Sequence, residues 1–130
     1  MKLKSHKELV SNYARAFNHL NSNYISDYLA DGFQYTSQWV FSEIESKKDY
    51  LEYFEQKLKQ FLNSDIKIIA RLGLYRNNYC LVIYQIDLSK RKQTKIVTLL
   101  IESQKGKIKR ADMCMIPSIS QINLLEEIPS

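Results

Sequence analysis

Apolar residues near the start of the chain recur at the spacing of one helical face. They are Leu9, Val10, Tyr13, Ala16, Phe17 and Leu20. Ser5 with Glu8 three residues later is a capping-box pattern, which predicts that the helix begins here. A second, short helix is predicted from Tyr24 to Leu29, and Asp31-Gly32 is a turn signal.

The middle of the chain predicts a strand followed by an amphipathic helix. The run from Phe33 to Phe41 is aromatic and β-prone, so we interpret it as the strand. Ser46 with Asp49 is a second capping pattern, and the helix is predicted from Lys47 to Leu62. Its core-facing residues are predicted to be Leu51, Phe54, Leu58 and either Phe61 or Leu62.

The rest of the chain alternates β-prone runs with short polar turns. The predicted strands are Ile66 to Tyr75, Tyr79 to Leu88, Gln93 to Ser103 and Lys107 to Ile116. Pro117 ends the last strand, and we expect the tail to Ser130 to be irregular.

This order of elements predicts an α+β fold, with antiparallel strands in a meander and the helices on one face. A strongly curved antiparallel or mixed sheet wrapped around a long helix encloses a cone with an open mouth. We expect a single domain over residues 1–130, with its core at about 5–116 and a C-terminal tail at 117–130.

Composition and charge are those of an ordinary soluble protein, with 45% apolar and 25% charged residues. The net charge of +5 is spread along the chain. Two basic clusters fall at predicted turns without a nucleic-acid motif, so we expect no nucleic-acid partner: Lys90-Arg91-Lys92, and Lys105, Lys107, Lys109 and Arg110. Binding of nucleic acid through these turns is a weaker alternative, which predicts affinity that falls steeply with salt.

The cysteines and histidines indicate neither a disulfide framework nor a metal site. Cys80 and Cys114 lie in apolar runs, where buried free thiols are the usual state in a reducing compartment. His6 and His19 both fall in the first helix, thirteen residues apart, which is not ligand spacing. We therefore expect no metal and no cofactor.

The first residues turn polar at once and lack the apolar core of a signal peptide. No uninterrupted apolar run approaches the length of about 20 residues that a membrane span needs. We expect a cytoplasmic protein that has no membrane partner.

Three segments together resemble a known fold family. They are Tyr13-Ala14-Arg15-Ala16-Phe17-Asn18, Tyr28-Leu29-Ala30-Asp31-Gly32-Phe33, and the Tyr35–Trp39 strand with the helix behind Ser46-Lys47. From about Leu9 to Met115 the chain resembles the nuclear transport factor 2-like superfamily, in its SnoaL-like and ketosteroid isomerase-like branch. That superfamily includes isomerases, dehydratases, cyclases, epoxide hydrolases, transport factors and dimeric association domains, so the resemblance implies a fold rather than an activity.

In the isomerase branch, a tyrosine on the first helix donates a hydrogen bond to a developing oxyanion, and Tyr13 falls at the matching place. The general base of that branch is an aspartate on the first strand, but Ser37 stands there in this chain. A second acid on a late strand corresponds to about Thr98. Because an unassisted serine does not abstract a proton efficiently, the isomerase mechanism does not carry over.

Other residues are candidates for a pocket or for catalysis. Tyr35, Ser37 and Trp39 share one strand face, which is either an amphipathic pocket wall or a filled core. Gln85 continues the apolar face of its strand and is either a structural tie or a ligand contact. Asp112 is the remaining candidate for a catalytic acid or base. Alternatively, it forms an ion pair with Arg110 at the surface or in a dimer interface. Tyr13 itself is either a hydrogen-bond donor to a ligand or a core aromatic.

We therefore expect a homodimer that binds a small, largely apolar molecule in an internal pocket. If the protein is an enzyme, we expect an isomerase- or dehydratase-type reaction. Catalysis would use Tyr13 and Asp112, with Ser37 or Trp39 as polarising groups. The expected ligand contacts are Tyr35, Ser37, Trp39, Gln85, Thr98 and Met113. The alternative is a non-catalytic association or protein-binding module whose cone is plugged by Trp39, Tyr35, Met113 and Met115.

Overall fold

Two helices, α1 (His6–His19) and α3 (Lys47–Leu62), pack on the inner face of one curved sheet, and a short helix, α2 (Asn23–Ser26), packs on α1. The structure is a computed structural model that describes residues 3–37, 43–89, 93–114 and 118–130. Among the described residues, no helix is long and apolar enough to cross a membrane.

Six strands form the sheet, in the order β1-β5-β4-β3-β2-β6. Their bounds are β1 Leu29–Ser37, β2 Ile66–Tyr75, β3 Asn78–Asp87, β4 Thr94–Gln104, β5 Lys107–Cys114 and β6 Asn123–Leu124. β1 is parallel to β5, and every other pair is antiparallel. The predicted α+β class and curved mixed sheet are confirmed.

Both predicted helix starts are confirmed by their caps. The Ser5 hydroxyl accepts from the Glu8 amide at 3.2 Å, and the Glu8 carboxylate accepts from the Ser5 amide at 3.1 Å. The Ser46 hydroxyl accepts from the Asp49 amide at 3.1 Å at the start of α3. Each cap satisfies backbone donors that would otherwise have no partner in the first turn.

Tight turns join the strands where the sequence predicted them. Arg76 and Asn77, with φ of 51° and 66°, connect β2 to β3. Lys105 and Gly106, with φ of 52° and 75°, connect β4 to β5. Positive φ at both central residues matches the right-handed twist of the flanking strands. In the third turn, residues 90–92 lie outside the described part of the chain.

The prediction of a turn at Asp31-Gly32 is wrong, because β1 runs through both residues. Leu29 pairs with Ile108 and Gln34 pairs with Arg110, so β1 has three more residues than β5 between these pairs. The turn-prone dipeptide lies in this irregular part of the strand. The strand thus begins earlier than the predicted Phe33, and α2 ends earlier than the predicted Leu29.

The core face of α3 differs in part from the predicted one. Tyr50, Phe54, Leu58 and Phe61 are buried. Leu51 is only half-buried, and Leu62 is 70% exposed. The sequence predicted either Phe61 or Leu62 as the last core position of this helix, and Phe61 is the one that faces the core.

The prediction of an irregular C-terminal tail is wrong at two short elements, and the other described residues of the tail are irregular. A 3-10 turn, Ile119–Gln121, contacts β4, and β6 pairs with the outer edge of β2. Ile122 is buried against Cys80 and Val82, on the sheet face that points away from the helices. The tail therefore crosses this outer face from β5 to β2.

Hydrogen bonds to Asn18 on α1 hold the end of the tail. The Asn18 side chain donates to the carbonyl oxygens of Pro129 at 2.7 Å and Ala70 at 3.0 Å. Its amide oxygen accepts from the Ala70 backbone amide at 2.6 Å. One side chain therefore connects α1, β2 and the tail.

Candidate functional site

The inner face of the sheet and α3 enclose a narrow cavity lined by aromatic rings. Tyrosines Tyr35, Tyr50 and Tyr53 and phenylalanines Phe17, Phe54 and Phe61 form most of its wall, and Lys57, Gln85 and Met113 complete it. Its volume is about 20 Å³, which is room for about one water molecule. Aromatic side chains thus fill most of the cone.

Helical spacing places five of these residues on one face of α3. They are Tyr50, Tyr53, Phe54, Lys57 and Phe61. Residues three and four apart lie above one another on a helix, so these side chains form a continuous stripe along the cavity.

The sheet supplies the opposite wall from three strands. Tyr35 lies on β1, Gln85 on β3 and Met113 on β5. Tyr35 pairs with Ala111 and Ser37 pairs with Met113 across the parallel β1–β5 ladder. Directly paired residues share a sheet face, and Tyr35, Ala111 and Met113 are all part of the core.

Four residues, Tyr13, Tyr35, Tyr50 and Tyr53, form what we call the tyrosine cluster. The ring centres of Tyr35 and Tyr50 lie 4.9 Å apart, and those of Tyr35 and Tyr53 lie 5.5 Å apart. The hydroxyls of Tyr13 and Tyr50 are hydrogen-bonded to each other. The Tyr35 hydroxyl donates to the Met113 sulfur at 3.7 Å, and the side chains of Tyr53 and Ser37 also hydrogen-bond with Tyr35.

Burial raises the pKa of Tyr13, Tyr50 and Tyr35 above the ordinary value of a tyrosine. These hydroxyls are therefore neutral at physiological pH and can donate hydrogen bonds. One hydrogen lies between the two oxygens of the Tyr13–Tyr50 pair, and the pair has a second one to donate. Tyr50 lines the cavity, so this pair can present a donor to an oxygen atom inside it.

The structure brings together five of the candidate residues. Tyr35, Gln85 and Met113 line the cavity, and Tyr13 and Ser37 reach it through their hydrogen bonds to Tyr50 and Tyr35. Tyr13 is also a core aromatic, because it is fully buried and stacks on Phe17 with ring centres 5.7 Å apart. Trp39, and Met115 of the predicted plug, lie outside the described residues.

Thr98 is separated from this group, because it lies on the outer face of the sheet. Its neighbours Val97 and Leu99 face the inner core, and side chains alternate along a strand. Thr98 pairs with Val82, which belongs to the cluster beneath the tail. A ligand in the cone would therefore not contact Thr98.

Asp112 also lies on the outer face, between the inward-facing Ala111 and Met113. It accepts a hydrogen bond from Thr36 and lies 3.1 Å from the Arg110 guanidinium, which also binds Glu43 at 2.8 Å. The hydrogen bond to Asp112 is the main cause that raises the pKa of Arg110. The sheet thus separates Asp112 from Tyr13, and Asp112 is a member of a partly exposed ion-pair network.

Tyr50, Tyr53 and Lys57 are site residues that the sequence analysis missed. The signal was present, since Tyr50, Phe54, Leu58 and Phe61 have helical spacing. The predicted core face began at Leu51, one position after Tyr50. Tyrosine and lysine have polar ends and are commonly placed on a solvated face, although their stems can be buried.

The polar groups of the described residues do not form a metal site. No group of three or more His, Cys, Asp or Glu side chains in residues 3–37, 43–89, 93–114 and 118–130 is arranged to hold a metal ion. Cys80 and Cys114 are free thiols, and burial raises the pKa of Cys80 to about 11.

Solved structures share this architecture at low sequence identity. An NTF2-like protein of unknown function from Cytophaga hutchinsonii superposes with a TM-score of 0.62 at 18% identity, over 87% of this chain and 92% of that chain. The chain has the NTF2-like fold. No protein-family model and no curated protein matches the sequence.

Two further solved structures share this NTF2-like architecture. An uncharacterised cystatin-fold protein from Novosphingobium aromaticivorans has a TM-score of 0.65 at 9% identity, over 85% of this chain and 97% of that chain. A protein from Xanthomonas campestris, proposed to be a polyketide cyclase, has a TM-score of 0.58 at 14% identity, over 89% and 95% of the two chains. Structural similarity at such low sequence identity establishes the NTF2-like fold alone, and the activity must be argued from the site.

Proposed function

We propose that this protein binds a small, largely apolar molecule that carries a hydrogen-bond-accepting oxygen, in the cavity of the cone. The tyrosine cluster is the observation that carries this proposal. Ligand pockets typically combine apolar walls with a few well-placed polar groups. Here aromatic rings supply the walls, and neutral tyrosine hydroxyls supply the donors.

Ligand entry requires movement of side chains, because the cavity has a volume of only about 20 Å³. Tyr53 is half-buried on α3 and lies beside Tyr35 and Tyr50. Rotation of its ring would widen the cavity without moving the sheet. The ligand then stabilises the open arrangement by its own contacts, at some cost in affinity.

The proposal is for binding rather than for proton abstraction. The described residues that line the cavity include no Asp, Glu or His, and their one lysine, Lys57, lies two helical turns from Tyr50. Neutral tyrosines can instead orient a ligand and polarise its carbonyl group. The similarity to a protein proposed to be a polyketide cyclase is compatible with a small organic ligand.

The test compares acetophenone with ethylbenzene by NMR titration of the purified protein. Both molecules have one aromatic ring, but only the ketone has an oxygen that accepts a hydrogen bond. We expect tighter binding of acetophenone, with shifts at cavity residues, and a smaller difference between the two probes in Tyr50→Phe. Tyr75→Phe removes a hydroxyl on the outer face and is the matched control.

Two results would overturn the proposal. One is a folded wild-type protein that binds neither probe. The other is a set of shifts confined to the outer face of the sheet. Native mass spectrometry before and after denaturation adds the subunit count and detects any organic molecule retained through purification.

The small cavity volume favours a second candidate, a non-catalytic association module in which the cone is a filled core. Such a module would use the outer face of the sheet to bind a second copy or another protein. Part of that face is covered by Ile119, Ile122 and Leu124 of the tail. The homodimer and the cytoplasmic location stay predictions, and the subunit count tests the first of them.

A further inference from the structure

Three polar side chains converge at one end of the aromatic cavity, and we call them the polar mouth: Lys57, Gln85 and Lys95. Lys57 and Gln85 line the cavity. Lys95 on β4 pairs directly with Gln85 on β3, so the two side chains leave the sheet on the same face. Next along these strands, Ile83 and Val97 pair and are buried in the core, which places Gln85 and Lys95 at the outer end of the cavity.

Lys57 is an unusual lysine because its stem lies against the aromatic wall. It is half-buried, and its ammonium lies 6.0 Å from the centre of the Phe61 ring. Burial, and then the nearby positive charge of Lys95, lower its pKa. Both causes show that the ammonium is partly removed from water and that a second cation is close to it.

No carboxylate neutralises Lys57 within the described residues. The ion pairs there involve Lys4, Lys7 and Arg110. Asp87 lies two residues after Gln85 on the same strand face; its carboxylate accepts from the Ser89 amide at 2.9 Å and forms no ion pair with Lys57. Lys57 therefore places a positive charge beside an apolar cavity, with no carboxylate ion-pair partner among the described residues.

We propose that the polar mouth binds the carboxylate of an amphipathic ligand whose apolar body lies among the aromatic rings. Lys57 and Lys95 supply the charge, and the Gln85 amide can donate a hydrogen bond to the same group. Tyr50 and Lys57 are two helical turns apart, about 10 Å along the axis, which sets the length of the ligand. A monocyclic aromatic acid with a short side chain has this length.

This inference rests on the proposed function, because the carboxylate is useful only if the cavity accepts the rest of the molecule. An anion at the mouth would relieve the repulsion between the two ammonium groups. It would also supply the counter-charge that Lys57 lacks. The proposal thus adds a substrate class, small aromatic acids, to the apolar ligand argued above.

The test compares 3-phenylpropanoate with 3-phenylpropanamide, which has the same skeleton and no charge. Dissociation constants are measured by NMR titration at low ionic strength. We expect the acid to bind about tenfold more tightly than the amide, a difference of about 1.4 kcal/mol. Added salt should weaken binding of the acid and leave that of the amide nearly unchanged.

Lys57→Met retains much of the stem and removes the charge, so it should abolish the preference for the acid while the amide still binds. Lys59→Met is the matched control, since Lys59 lies on the exposed side of the same helix and its loss should preserve the preference. Equal binding of acid and amide to the wild-type protein would overturn the carboxylate assignment. It would not contradict the proposal that the cavity binds an apolar molecule. An unchanged preference in Lys57→Met would also overturn it, whereas a folded protein that binds neither probe would overturn the cavity and the mouth together.

Discussion

The hydroxyl of Tyr13 on α1 is hydrogen-bonded to the hydroxyl of Tyr50 on α3, inside the cone. Both side chains are almost completely buried, and Phe54 stacks on Tyr50 and makes a T-shaped contact with the ring of Tyr13. The pair connects the two helices across the core. It also satisfies two polar atoms that would be costly to bury alone.

Removing both hydroxyls of this pair should destabilise the protein less than the two single removals added together. Tyr13→Phe or Tyr50→Phe leaves a buried hydroxyl without its partner, which typically costs about 1–3 kcal/mol. The double variant has no unpaired hydroxyl, so its loss should be smaller than the sum of the single losses. Urea unfolding of the four proteins measures this coupling, and strictly additive losses would contradict it.

Alkaline pH should destabilise the protein through the tyrosine cluster. Burial raises the pKa of Tyr13, Tyr35 and Tyr50 above 10.0 in the folded state. Above about pH 10 the unfolded chain releases these protons while the folded chain keeps them, so the unfolded state binds fewer protons and stability falls as pH rises. Below that pH these groups leave stability unchanged.

The measurement is the free energy of unfolding at a series of pH values, with phenolate absorbance followed in parallel. The Cys80 thiol, with a pKa raised to about 11, acts in the same direction from about pH 9 upward. The difference between wild type and Tyr50→Phe at each pH gives the contribution of Tyr50. An identical slope in both proteins would show that Tyr50 does not resist ionisation.

Gly73→Ala should displace the C-terminal tail. A Cβ atom at position 73 would lie 2.5 Å from Cγ2 of Ile122, which is closer than two carbon atoms can pack. Overpacking of this kind typically costs about 1–3 kcal/mol. Hydrogen exchange should report faster exchange at Leu125, whose amide donates to the Leu72 carbonyl at 3.0 Å.

Ile122→Ala supplies the control for this clash. It should cost stability by itself because Ile122 is buried, but it removes the methyl group that Gly73→Ala meets. The double variant should therefore lose less stability than the two single losses added together. Additive losses would indicate that β2 and the tail adjust independently.

Asp112→Asn should leave binding of acetophenone unchanged, because the sheet separates Asp112 from the cavity. Its partners Thr36 and Arg110 lie at the partly exposed outer face, so we expect a stability loss of about 1 kcal/mol or less. Arg110→Met removes the other side of the ion pair and should behave similarly. A selective loss of probe binding in Asp112→Asn would instead indicate that Asp112 contributes to the binding site.

Features that depend on neighbouring residues were predictable from the sequence. The caps at Ser5 and Ser46 act within one helical turn, and both are present. The bounds of β2, Ile66–Tyr75, are the predicted ones, because a tight turn at Arg76-Asn77 follows its last residue. Local spacing and turn chemistry are sufficient for such predictions.

Features that depend on strand register were not predictable in the same way. Thr98 was expected at the cavity, but it points to the outer face because the side chains of a strand alternate and Val97 takes the inner position. A shift of one residue reverses every side chain of a strand. Asp31-Gly32 has the composition of a turn, and only its pairing with β5 makes it part of β1.

The sequence by itself determined the order of the main helices and strands up to β5, the two helix caps and the hairpin turns after β2 and β4, because each depends on a few adjacent residues. The tertiary structure decided which side chains meet. Tyr13 meets Tyr50 across 37 positions of the chain, and Lys57 and Lys95 share the mouth of the cavity. These contacts depend on how α3 lies against the curved sheet and on the register of its strands, which is a property of the packed molecule as a whole.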